Sequence, residues 1–377
     1  MKYINQSFQN KIEEIVGLYP HFKVVEKSDE HIAHEILESQ GMQLLENLRL
    51  TYSRKPDLWK SFSDSNQRAL VFYEKDLHTT IAAFSEGEIY YNQKRTENYY
   101  SSDLRLTPKA TMRIRKDFRE VYQKFIAALP EDSICTTAIL KDNLKAMNAF
   151  TRGSVGLFYN QMFEYFIRTI VILPTIVFNK SPGIKGHKIV LLKDHAEKLD
   201  ELKLFLKNYQ ESAVFSNDLI RSREVKTEAR EFLILKDDVI SGYFSLLRPT
   251  SRSIYVQTTS IWIKILLKIM SIFSRTDLSV KLPWVYLTSI VLSQELKDRP
   301  NILSNIILSL RRFKALKTGE LLLLLHPKSE NFGKESLESS FMLKCPQIVN
   351  TGVIFRVETA KHDRSLHGSI HLDPSEI

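Results

Sequence analysis

Cysteine is scarce. The 377 residues include only two, Cys135 and Cys345. They lie far apart, each in an apolar strand-like run, which excludes a disulfide framework and a C-x-x-C centre. The expected setting is a reducing cytoplasm. Long uncharged apolar runs are missing too. The most apolar stretch, residues 253–273, is interrupted by Lys264 and Lys268, whereas a spanning helix needs about 20 nearly uncharged residues. The first 17 residues carry Glu13 and Glu14 and lack the apolar core of a secretory signal. P-loop, G-x-S-x-G, H-E-x-x-H and zinc-finger spacings are absent, so the common signatures for those chemistries are missing. His362, His367 and His371 crowd the C-terminal tail without a framing cysteine or carboxylate pair. A polar tail is expected there, and no metal centre.

What is present suits two cores. Hydrophobic residues make up 43% of the chain and charged residues 26%, a globular balance over a length that favours two domains. The net charge of +9 favours an anionic partner, such as a coenzyme phosphate, nucleic acid or an acidic membrane surface. No aromatic RNA-binding motif accompanies the charge, so nucleic acid is the weakest of these.

The chain also repeats its order. A strand, a charged turn at Asp76 and a returning strand recur around Asp237, about 161 positions later. Tyr100 to Leu106 corresponds to Tyr286 to Leu292, and Ser133 to Leu140 to Glu320–His326. Gly156 to Leu173 corresponds to Phe341–Glu358. These later offsets are about 185, as an insertion of about 24 residues near 253–277 would produce. The polar, glycine- and proline-containing stretch Asn179 to Gly186 reads as a linker. The expected division is residues 1–183 and 184–377. Each half reads as an α/β (α+β) unit, with a mixed, mainly antiparallel sheet flanked by helices.

Residues 99–150 carry the chemistry. Tyr99 to Leu106 reads as a strand, Thr107 to Ala110 as a turn, and Thr111 to Leu129 as a basic amphipathic helix. A second strand ends at Leu140, and a short helix starts after Asp142-Asn143. A turn feeding a helix N-terminus leaves backbone N–H groups facing outward, ready for phosphate oxygens. Asp103-Leu104-Arg105-Leu106-Thr107-Pro108 and Asn143-Leu144-Lys145-Ala146 resemble the D-L-R-V-x-P and N-x-x-A patterns of the GNAT N-acetyltransferase superfamily. Thr136-Thr137-Ala138-Ile139, Asp142-Asn143, Arg152-Gly153 and Tyr159 are similar to a later pattern of its tandem-domain subgroup. The resemblance implies two twisted GNAT-like sheets and acyl transfer from acetyl-coenzyme A, or another acyl-CoA, to an amine. It also implies a donor site at Leu104, Arg105, Leu106, Arg113, Ile114, Arg115 and Asn143. Asp103 and Tyr159 are the candidates for the catalytic base and acid.

The chain departs from that pattern at the phosphate loop. Residues 111–115 contain no glycine, so arginine charge would replace close backbone approach. Phe150 stands where relatives often place a tyrosine. A non-catalytic module binding acyl-CoA, an acidic ligand or a protein is the alternative. The matching loop of the second half, Ser293 to Pro300, carries two acids and is expected to bind no coenzyme. The inserted stretch has no acidic residue from Val239 to Arg275. Its helix is expected to bury Trp262 and Phe273 against protein. Peripheral membrane or partner contact through 253–273 is the alternative.

Overall fold

A computed structural model describes residues 6–39, 42–45, 48–63, 68–151, 157–172, 183–226, 228–250, 252–258, 260–274, 281–299, 301–310, 312–317, 319–328, 347–358 and 370–371. The first half opens with α1 (Gln6–Gly17), β1 (Phe22–Val24) and α2 (Glu30–Ser39). A small hairpin, β2 (Met42–Leu45) and β3 (Leu48–Ser53), and α3 (Leu58–Ser63) follow. Then come β4 (Arg68–Glu74), β5 (Thr80–Tyr91), β6 (Lys94–Leu106), α4 (Met112–Ala127), β7 (Ile134–Leu140), α5 (Leu144–Thr151) and β8 (Phe158–Val171). The second half runs β9 (Lys188–Leu191), α6 (Leu199–Ser212), β10 (Phe215–Asn217), α7 (Leu219–Val225), β11 (Arg230–Lys236) and β12 (Val239–Leu247). The inserted stretch holds β13 (Ser253–Thr258), α8 (Ile261–Ser274) and β14 (Lys281–Leu282). The chain continues with β15 (Trp284–Leu292), α9 (Gln294–Lys297), α10 (Ile302–Leu310), β16 (Leu321–Pro327), β17 (Gln347–Glu358) and β18 (Ile370–His371). Arg152-Gly153 and most of the expected linker lie outside the described residues.

The repeat is visible strand by strand, yet the halves share one sheet. Its order is β1-β4-β5-β6-β7-β17-β8-β16-β15-β12-β11-β9, with β10 and β18 attached beside β5. Three pairs, β6–β7, β15–β16 and β10–β18, are parallel, and the other neighbours in this sheet are antiparallel. The last strand of each repeat crosses over. β17 pairs with β7 of the first half, and β8 pairs with β16 of the second. The two exchanged strands pair with each other from Gln347 opposite Ile170 to Glu358 opposite Phe158. Packing follows the exchange. Val357 on β17 joins the first-half core with Ile114, Phe118 and Phe125 of α4. Ile170 and Ile172 join the second-half core around α10. A second sheet, β14-β13-β3-β2, also draws strands from both halves.

Two expectations are corrected. Trp262 is 80% exposed rather than buried, because only part of α8 packs on the second sheet, with Leu267 against Ile254, Leu282 and Trp284. The side chain of Phe273 lies outside the described residues. The tail is not wholly a polar loop either, since Ile370 and His371 pair with β10 and are buried. A two-residue strand carries too little periodicity to be read from sequence.

At the exchange, Gly352 on β17 faces Tyr165 on β8, and a Cβ there would overlap the Tyr165 ring. The ring is buried and occupies the space over the glycine. Gly352→Ala should lower unfolding stability by about 1–3 kcal/mol, read as a shifted urea midpoint at constant slope.

The β8–β16 joint also holds a pH-sensitive contact. His326 is 4% exposed, and Arg168 Nε donates to its Nε2 at 2.9 Å. Its Nδ1 lies 3.3 Å from the Pro327 carbonyl, the geometry of a neutral ring protonated at Nδ1. Burial, reinforced by the Arg168 charge, holds its pKa down to about 4. The unfolded chain takes up this proton near pH 6.5, before the folded chain does. Stability should therefore fall between about pH 6.5 and pH 4, by about 3 kcal/mol from this group alone. His326→Asn should flatten that part of the profile in denaturant titrations at stepped pH.

Candidate functional site at the strand splay

Strands β6 and β7 run parallel only from Asn98 opposite Ile134 to Tyr100 opposite Thr136. Beyond that point they part. β6 continues through Leu106 on β5, while β7 turns to its other neighbour, β17. Thr137 Oγ1 donates to the Ser101 carbonyl at 2.9 Å, a last bridge at the root of the splay. Beyond Tyr100, the β7-facing edge of β6 pairs with no strand among the described residues.

A bulge directs this divergence. The β5–β6 register slips between Ile81 and Ala83, and Asp103 there takes a φ of +53°. Aspartate tolerates the left-handed region better than most residues, but it still needs support. That support comes from Arg54, whose Nε lies 2.8 Å from Asp103 Oδ2 with both side chains largely buried. Arg54 also donates to Ser61 Oγ at 2.9 Å and lies 4.0 Å over the Phe62 ring. Arg252 enters from the paired strand end and donates to the Ser61 carbonyl at 3.2 Å. Burial pulls the Arg252 guanidinium pKa down, but Tyr52, Tyr286 and Asp103 raise it further, so it stays charged.

At the far end of β6, the chain turns into α4. Thr111 caps the helix, its Oγ1 accepting from the Ile114 N–H. Arg115 closes the turn, donating to the carbonyls of Ala110, Thr107 and Pro108 at 2.9, 3.2 and 3.3 Å. Arg113 is exposed and 3.9 Å from Asp117. Ile114 is buried, while Leu104 and Leu106 pack partly against the same core. Arg105 pairs with Ile81. These residues therefore share one corner of the fold.

Asn143 stands on the other lip, after β7. Its side chain accepts from the Ala146 N–H at 3.2 Å and so caps α5. Tyr159 on β8 is mostly enclosed. Burial pushes its phenol pKa well up, and it hydrogen-bonds Tyr122, which donates to Ser101 Oγ at 3.0 Å. Tyr159 is thus linked through two hydroxyls to the root of the splay.

Sequence reasoning missed Arg54, Ser61 and Arg252. Arg54 precedes Asp103 by 49 positions on another sheet, with no local motif to mark it. Among the described residues no cluster of three or more His, Cys, Asp or Glu side chains could hold a metal ion.

The geometry has relatives among solved structures. The chain is similar to Saccharomyces cerevisiae N-myristoyltransferase with bound myristoyl-CoA, at 9% identity and a TM-score of 0.55, covering 91% of this chain and 84% of that one. A structure of the same enzyme with bound myristoyl-CoA and inhibitors gives a TM-score of 0.56 at 9% identity, over 95% and 84%. A tandem GNAT protein from the clavulanic acid biosynthesis pathway gives 0.51 at 11% identity, covering 91% of this chain and all of that one. The chain has a tandem GNAT fold. No protein-family profile and no curated protein sequence matches it.

The ion pair makes the bulge testable. Removing one partner of a buried pair leaves the other charge uncompensated. Arg54→Met should cost about 3–5 kcal/mol of stability, whereas a change at exposed Arg113 should cost little. Chemical denaturation of the two variants in parallel would separate a supporting Arg54–Asp103 pair from a dispensable one.

Proposed function

We propose that this protein transfers an acyl group from an acyl-coenzyme A to an amine. The observation that supports this best is the splay itself. A strand edge without a strand partner leads directly to a capped, basic helix N-terminus on a tandem GNAT fold. The pantetheine arm would extend along Leu104 to Leu106, taking the place of the missing strand. The phosphates would meet the first N–H groups of α4 and the side chain of Arg113. Arg115 acts differently from Arg113: it braces the turn through three carbonyls and contributes charge from behind it. Asn143, already capping α5, would frame the opposite lip. The acetyl group is the proposed cargo, with a longer chain as the alternative, and the division near residue 183 assigns the donor site to the first repeat.

Catalysis needs a neutral amine, stabilisation of the thioester oxygen and a proton for the departing thiolate. Backbone N–H groups on the open edge of β6 would meet the oxygen. Tyr159 stays protonated and would pass a proton through Tyr122 and Ser101. Asp103 is the base nearest the acyl carbon, and its ion pair with Arg54 fixes it at the bulge. That same ion pair favours a second reading, a binding module without turnover, because a carboxylate held by arginine is a weak base.

Coenzyme A should raise the melting temperature, since ligand at about 100 times its dissociation constant adds about 2.7 kcal/mol. Arg113→Glu should abolish the shift while leaving the unliganded melting curve unchanged. Arg115→Glu should lower both, because it also releases the turn. Release of free thiol from acetyl-CoA on adding amines distinguishes an enzyme from a binder. No thermal shift with millimolar coenzyme A or acetyl-CoA would refute both readings.

A further inference from the structure

Helix α8 has an exposed face that the fold does not use. Ile261, Trp262, Ile265 and Ile272 are all exposed, Trp262 to 80% and Ile272 to 74%. At 100° per residue, Ile261, Ile265, Lys268 and Ile272 form one stripe, with Trp262 and Lys264 on its flanks. Both lysines are exposed. The opposite side holds Leu267, which packs on the second sheet. Scattered apolar residues on a surface need no explanation, but four on one helix, ringed by cations, do.

We propose that α8 docks the protein on the surface of an anionic lipid bilayer. Charge decides the occupant. Between Val239 and Arg275 the sequence holds lysines and arginines but no acidic residue. A second copy of the chain laid face to face would bring Lys264 and Lys268 of both copies together without a local counter-ion. An anionic leaflet supplies the missing negative charge and accepts the isoleucines below its headgroups. Tryptophan suits that boundary, with an apolar ring and a polar N–H. The lysine stems lie along the apolar stripe and lift their ammonium groups to the phosphates. The helix has 14 residues and lies along the interface. No described helix is long and apolar enough to cross a bilayer.

The chain carries its own probe. Of its three tryptophans, Trp284 is buried and Trp59 partly so, leaving Trp262 as the exposed one. The full-length protein should sediment with phosphatidylcholine vesicles containing about 30% phosphatidylserine, with a blue shift in tryptophan emission. It should sediment far less with phosphatidylcholine alone. Replacing both isoleucines, Ile265→Glu with Ile272→Glu, should weaken binding at least ~10-fold. Circular dichroism and melting temperature should be unchanged, since both side chains are exposed. The pair Lys264→Glu and Lys268→Glu should remove the preference for anionic lipid. Equal binding to both vesicle types, or no sedimentation at all, would overturn the proposal. So would a concentration-dependent dimer that the isoleucine replacements dissolve, because the face would then belong to a second copy.

Discussion

The antiparallel ladder between β8 and β17 is the contact on which the rest of the molecule depends. Each strand ends one repeat and completes the sheet of the other. Without β17, β7 would expose the edge that faces away from the splay, and the first core would lose Val357. Without β8, β16 would lose its only antiparallel neighbour, and the second core would lose Ile170 and Ile172. An open edge is a template for aggregation. Reciprocal exchange removes two such edges at once, and it couples the halves through backbone bonds rather than through a surface patch. Gly352 and Tyr165 meet along this ladder, as do Arg168 and His326 one strand away, so several of its sensitive contacts lie at the seam.

The same exchange shapes the splay. With its far side committed to β17, β7 is drawn away from β6, while the bulge at Asp103 turns β6 toward the helix. The second repeat solves the problem in the same way. Its register slips between Tyr243 and Ser245, and Ser289, 186 positions after Asp103 by residue number, takes a φ of +51°. β15 likewise pairs with β16 only as far as Leu287. A bulge recurring at one place in both repeats is a feature of the fold rather than a local accident. What differs is its support, a buried ion pair in one repeat and a small buried hydroxyl residue in the other.

Much of this was legible in the residues. The hairpins at Asp76 and Asp237 alternate and turn as charged loops must. The apolar spacing from Ile114 to Ile126 predicts the buried face of α4. Leu321 to Leu325 reads as a strand enclosed on both sides and lies between β15 and β8. The exchange was not legible, because periodicity tells which face of a strand is buried and not which strand lies beside it. Likewise the role of Arg54 depends on a contact between two sheets. Trp262 misled for a related reason. An apolar helix rich in isoleucine and leucine reads as core, and only its placement at the rim of the second sheet leaves it uncovered.

The two repeats also explain why one of them suits an anionic ligand. After the first splay the chain enters α4, 16 residues long and amphipathic, with Arg113 and Lys116 in the open. After the second it makes a single turn, α9, whose Glu295 is already bound by Lys236 and Arg299. It then enters α10, in which nearly every side chain is buried. A helix buried on all sides is structural by necessity, since no face remains for solvent or ligand. An amphipathic helix with cations near its N-terminus carries an unfavourable dipole interaction that a bound anion relieves. The shared splay supplies the groove, and the sequence that follows it decides whether phosphate can enter.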